Sequence, residues 1–142
     1  AVTPLALMNA ISAIANGGIL MKPLLIKEEP KVIRRVIKEE TANQVKKMMI
    51  SAVAKAGVAK IENYDIAGKT GTAQIPDFRY GGYTDEVINT YIGFPANNPR
   101  FVILIKLDKP SGAPLAGATV VPAFKELAQF VLNYYNVPPD RT

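Results

Sequence analysis

The sequence predicts a mixed α/β (α+β) fold, an antiparallel sheet of three strands with helices on both faces. Three observations carry this. Two helical stretches come first, three strand-like runs with short connections follow, and an amphipathic helix closes the chain. Short connections favour antiparallel pairing, because a parallel crossover needs a dozen residues or more. One of the strand-like runs, Phe101 to Ile105, is apolar on both faces, as in a sheet covered on both sides.

Thr3 can cap a first helix, with Pro4 at its first position. Residues 4–16 are nearly all apolar or small, which predicts a helix buried on most sides. Gly17 and Gly18 stop it. Residues 19–26 and 31–37 read as short extended segments, broken by Glu28-Glu29-Pro30. Thr41 and Gln44 have the spacing of a capping box. The helix they would start carries Val45, Met48, Met49, Ala52, Val53 and Ala56 at helical spacing, with both methionines as core filler. Gly57 ends it.

Strands are predicted at 66–74, 87–94 and 100–107, paired in sequence order with the first at an edge. Residues 77–85, with Gly81-Gly82, join the first two, and Pro95-Ala-Asn-Asn-Pro99 turns tightly between the second and third. The last helix starts near Thr119, with Pro122 in its first turn. Its apolar stripe is Val121, Phe124, Leu127, Ala128, Val131, Leu132 and Tyr135. That stripe packs on one sheet face and the two earlier helices cover the other. The tail from Pro138 onward should fray.

Composition excludes several classes. The chain has 142 residues, 49% of them hydrophobic, enough for one domain or part of one. No run of apolar residues is long enough to span a bilayer. No leader pattern opens the chain, and Ala-Val-Thr-Pro reads as the interior of a longer protein. The net charge of +5 is scattered and not interleaved with aromatics, so no nucleic-acid partner is expected. With no Cys and no His there is no thiolate nucleophile, no Ser-His-Asp triad and no expected metal or other cofactor. Acyl-transfer chemistry would have to pair Ser with Lys.

The most telling stretch is Ala67-Gly-Lys-Thr-Gly-Thr-Ala-Gln74. Side chains alternate along a strand, so Thr70, Thr72 and Gln74 share one face and Lys69, Gly71 and Ala73 the other. At an edge, the threonine hydroxyls can bond a carboxylate, and Lys69 supplies a positive field. Gly71 permits close approach of a ligand, and the Thr72 N–H can bind an oxyanion. A phosphate-loop reading fails on two counts. Asn63 stands where its first glycine belongs, and Gly71-Thr-Ala-Gln-Ile-Pro76 is extended rather than helical. An ordinary surface strand would also read Lys-Thr-Gly. Tyr80, Gly81 and Gly82 lie beside this edge, either as the rim of a substrate groove or as a solvent loop.

The wider context resembles the class B penicillin-binding proteins. The residues that carry the resemblance are Val2-Thr-Pro-Leu5 running into Ser12-Ala-Ile-Ala-Asn-Gly-Gly18, the whole of Tyr64–Gln74, the hairpin Tyr91–Ile105, and Pro122-Ala-Phe-Lys-Glu-Leu127. The similarity is collinear across nearly the whole chain. It implies a β-lactamase-like transpeptidase fold and serine D,D-transpeptidase activity in peptidoglycan cross-linking. It makes Lys69, Thr70, Gly71 and Thr72 catalytic residues, with Thr70, Thr72, Gln74, Tyr80, Gly81 and Gly82 binding substrate. The implied partners are peptidoglycan stem peptides, β-lactams, the remainder of the transpeptidase domain, and proteins of a division or elongation complex. The implied location is the outer side of the cytoplasmic membrane, on a membrane-anchored parent. The Gly81-Gly82-Tyr83 neighbourhood looks like the division-type members.

The sequence also departs from the family. Leu115-Ala-Gly-Ala-Thr119 lacks a tyrosine, and Val58 stands where threonine is common. Ser12, Ser51 and Ser111 are the only serines, none followed by Lys at the third position and none opening a Ser-x-Asn. Residues 1–142 are therefore expected to be the C-terminal part of a penicillin-binding transpeptidase domain and inactive alone. The alternative is a non-catalytic binding or scaffold module that retains half of the fold.

Overall fold

The computed structural model describes residues 2–112 and 115–141. The element order is α1 (Pro4–Ala15), β1 (Ile19–Met21), β2 (Val32–Arg35), α2 (Glu39–Ala56), β3 (Ile66–Pro76), β4 (Tyr83–Pro95), β5 (Ile103–Asp108) and α3 (Ala116–Tyr134). β3, β4 and β5 form an antiparallel sheet in sequence order, with β3 at one edge. β1 and β2 pair antiparallel in a separate two-stranded sheet.

The register assigns the faces. Gly68 lies opposite Gly93, Thr70 opposite Tyr91 and Thr72 opposite Asn89, so these pairs share one face. That face meets α3, where Tyr91, Ile103, Val120, Val121, Phe124, Ala128 and Leu132 form the main core. Gly93 is required here, since a Cβ would lie 2.7 Å from Phe124 Cζ. On the other face, Ala67 and Phe94 meet Ala15 of α1 and Met49 of α2, with Ile11, Ile14, Val45 and Ile50 around them. The expected sheet and its two helical faces are therefore present.

Several local expectations are corrected. α2 begins at Glu39, with Lys38 as an N-cap that makes no side-chain bond, so Thr41 and Gln44 lie inside the helix and form no capping box. Glu39 and Glu40 in the first turn oppose the positive end of the helix dipole instead. Met49 is buried but Met48 is 68% exposed. Consecutive helical residues point about 100° apart, and α2 buries only the narrow strip Ala42, Met49 and Val53. α1 is capped by Thr3 as predicted, yet only Ala13 and Ala15 are buried. Its first turn contacts little, and Leu5 is exposed.

The early strands are shorter than the extended segments; Pro23 and Pro30 fall in the connection between them, which is closed by the Lys22 N–H donating to Lys31 O at 2.9 Å. α3 starts three residues before Thr119, so Pro122 falls inside the helix rather than in its first turn. Leu127 and Tyr135 lie outside its buried stripe. Nor does the tail fray as far as residue 141. Val137 is buried, and Asp140 and Arg141 both donate backbone N–H groups to Asn63 O. The Asp140 carboxylate accepts the Asp65 N–H at 2.7 Å, and Arg141 pairs with the Asp65 carboxylate at 2.6 Å. The C-terminal segment thus clasps the foot of β3.

Candidate functional site

The site is built on β3. Its eleven residues run from a buried foot, Ile66 to Gly68, to an exposed stretch at Lys69 and Thr70. β4 lies on one side of β3 only. Lys69 leaves the sheet on the α1/α2 face, opposite Ile92, and its Nζ reaches back to donate to Thr70 O at 2.8 Å. Among the described residues no carboxylate pairs with Lys69. Thr70 and Thr72 leave on the α3 face and remain exposed. The strand edge therefore presents a cation on one side and two hydroxyls on the other.

Gly71 sits opposite Thr90, whose hydroxyl lies 3.4 Å from Gly71 O; a Cβ at Gly71 would lie 2.5 Å from that hydroxyl oxygen. Gly68 is held more closely still, since a Cβ there would lie 1.9 Å from the Tyr91 hydroxyl. The foot of the motif thus rests on the tyrosine. Tyr91 is buried against Phe124, ring centroids 4.5 Å apart, and burial pushes its phenol well above its ordinary range. Between β3 and the end of α2 a cavity of about 110 Å³ is lined by Gly68, Lys69, Thr70 and Tyr91 on the strand side.

The other expected residues are placed less closely. Gln74 lies on β3, its amide 3.5 Å from Thr84 O. Tyr80, Gly81 and Gly82 form the β3–β4 turn beyond the strand, where the Asp77 carboxylate accepts the N–H groups of Arg79 and Tyr80. Gly81 and Gly82 have φ of +80° and +77°, which glycine alone adopts readily. At about 3.4 Å per residue this turn stands over 10 Å along the hairpin from Thr72. Tyr80 is exposed there, stacked under Arg79 at 5.0 Å. The structure therefore brings Lys69 to Gln74 onto one edge and sets Tyr80 to Gly82 at its far end.

Sequence reasoning missed two residues. Asn89 is fully buried and donates from Nδ2 to Thr119 Oγ1 at 2.9 Å. Tyr91 backs Gly68. A polar residue at an inward position of the second strand was the available signal for both, but only the register assigns them to the threonines. Among the described residues no cluster of acidic groups could hold a metal, and no helix is long and apolar enough to cross a membrane.

A Lys-Thr-Gly run is one of the three signatures of the penicillin-recognising acyl-transfer folds, and here it lies on an exposed edge strand of a sheet with helices on both faces. Comparison with known proteins agrees. Residues 1–129 match the family described as the penicillin binding protein transpeptidase domain. Penicillin-binding protein PbpB of Mycolicibacterium smegmatis is 37% identical over 96% of this chain and 25% of its own length. Peptidoglycan D,D-transpeptidase FtsI of Escherichia coli is 35% identical over 98% of this chain and 24% of its own. Among solved structures, penicillin binding protein 3 of Mycobacterium tuberculosis complexed with ampicillin superposes with a TM-score of 0.86 at 33% identity, covering 97% of this chain and 36% of that one. The chain belongs to the class B penicillin-binding protein transpeptidase family. It spans about a quarter of the length of the curated relatives it matches.

Proposed function

We propose that this chain is the C-terminal part of a serine-type D,D-transpeptidase domain that cross-links peptidoglycan stem peptides and is acylated by β-lactams. The observation that carries this reading is the Lys69–Thr72 run on a sheet edge paired on one side only, in a chain of this family. Lys69 acts electrostatically on the acyl-transfer centre and the substrate carboxylate. Thr70 and Thr72 donate their hydroxyls to that carboxylate, and the edge accommodates an extended stem peptide as an added strand. The Thr72 N–H is one oxyanion donor, and the nucleophile's own N–H, outside this chain, is the other. Gln74 and the Tyr80–Gly82 turn form the further rim of the groove. One relative, of Bacillus subtilis, is named stage V sporulation protein D, and the Gly81-Gly82-Tyr83 neighbourhood supports a division-type parent. Such a parent is membrane-anchored with its catalytic domain outside the cytoplasmic membrane, and works beside the other proteins of its complex.

The nucleophile and its activating lysine are not among these residues, and acyl transfer of this kind cannot proceed without them. A fluorescent penicillin should therefore label the full-length parent covalently and leave the isolated chain unlabelled after denaturation. Stoichiometric labelling of the isolated chain contradicts the division of labour. An unlabelled parent contradicts the transpeptidase reading and favours a non-catalytic module with half the fold.

A further inference from the structure

Among the described residues, two buried side-chain polar atoms have no partner, Asn89 Oδ1 and the Tyr91 hydroxyl. They belong to the residues directly across the ladder from Thr72 and Thr70. A buried polar atom without a partner costs stability, so an apolar residue at position 89 would serve the core better. Asn89 is nevertheless engaged on its other side. Its Nδ2 donates to Thr119 Oγ1 at 2.9 Å, and Thr119 in turn donates to Leu115 O at 3.2 Å. This bolts the first turn of α3 to β4.

The same turn is tied to β3 as well. α3 has no side-chain cap of its own at Leu115. The N–H of Ala116, the first residue of the helix, donates instead to Thr72 Oγ1 at 3.4 Å. Thr72 thus caps α3 from a neighbouring strand. A threonine hydroxyl has one proton and two lone pairs. The Ala116 N–H and the positive end of the helix dipole face the oxygen, so the hydroxyl accepts from the helix and keeps its proton for another acceptor.

We propose that Asn89 is a positioning residue for Thr72. Through Thr119 it holds the start of α3 against the Thr72 hydroxyl, which leaves that hydroxyl's proton free to donate to a substrate carboxylate. The inference rests on the transpeptidase reading above and extends it to residues that touch no substrate.

The test uses the full-length enzyme as wild type, Asn89→Ala, Thr119→Val and Thr119→Ser. The second-order rate of acylation is measured with a fluorescent penicillin and with the methyl ester of the same compound, alongside the melting temperature. Loss of the Asn89–Thr119 bond should slow the free acid by roughly two- to tenfold, the scale of one neutral hydrogen bond. The ester, which has no carboxylate for Thr72 to hold, should react at its wild-type rate in every variant. Thr119→Ser keeps the hydroxyl and should match wild type with both compounds. Thr119→Val preserves side-chain shape, so the test stands if Asn89→Ala folds poorly. Equal slowing of acid and ester, or no slowing of either, overturns the inference while leaving the transpeptidase reading in place. A wild-type enzyme that is not acylated at all overturns both.

Discussion

Lys69 and Thr70 are neighbours in sequence but leave the sheet on opposite faces, and that alternation puts a cation on one side of the strand and hydroxyls on the other. This much was legible in the sequence, because strand alternation is local and needs no knowledge of the partner strand. What lies behind the motif was not legible. The contact of Tyr91 with Gly68 depends on the register of β3 against β4, which a shift of one residue would abolish. Tyr91 also makes a prediction that is independent of activity. Its folded-state pKa is raised above the ordinary 10.0 by burial, so the folded form keeps the neutral phenol while the unfolded chain ionises it. The stability it contributes is present in full below about pH 10 and is lost as pH rises above that value. Chemical denaturation between pH 9 and 11.5 should show a smaller alkaline loss in Tyr91→Phe than in wild type. Equal losses would mean that the phenol is not buried as described.

At the scale of elements, the sheet and its helical faces followed from hydrophobic pattern, whereas element ends did not. The Thr41–Gln44 spacing pointed to a cap, but carboxylates at Glu39 and Glu40 start α2 earlier. Met48 and Met49 were indistinguishable by type, and only the narrow contact of α2 with the sheet separates them. The tail was read as free because proline-rich polar termini usually are, yet tertiary partners at Asn63 and Asp65 hold it. The two side chains of this clasp differ in worth. Asp140 accepts a partly buried backbone N–H, and Asp140→Ala should cost about 1–2 kcal/mol. The Arg141–Asp65 pair is mostly exposed, so Arg141→Ala should cost about 0.5 kcal/mol or less. Urea titration of both variants checks the order, and a larger loss from Arg141→Ala would contradict it.

For the whole molecule, β5 forms the second edge of the sheet and begins at Ile103, later than the expected start at residue 100, with apolar Ile103, Leu104 and Ile105 along it. An open apolar edge recruits other strands. The isolated chain should therefore self-associate, and analytical ultracentrifugation should show species larger than 15.4 kDa. A clean monomer at high concentration would count against a sheet completed by strands outside this chain. The central claim is that the β3 edge carries acyl-transfer chemistry in the parent enzyme, and Lys69→Ala in the full-length protein tests it most directly. Acylation by a β-lactam should slow by about 10²–10³, the usual cost of removing one electrostatic support from such a site. Thr72→Ala should cost less, since its backbone N–H remains. The melting temperature should hardly change, because Lys69 is exposed and its one bond is to the neighbouring carbonyl. Acylation of Lys69→Ala at the wild-type rate would contradict the account and reduce β3 to an ordinary surface strand.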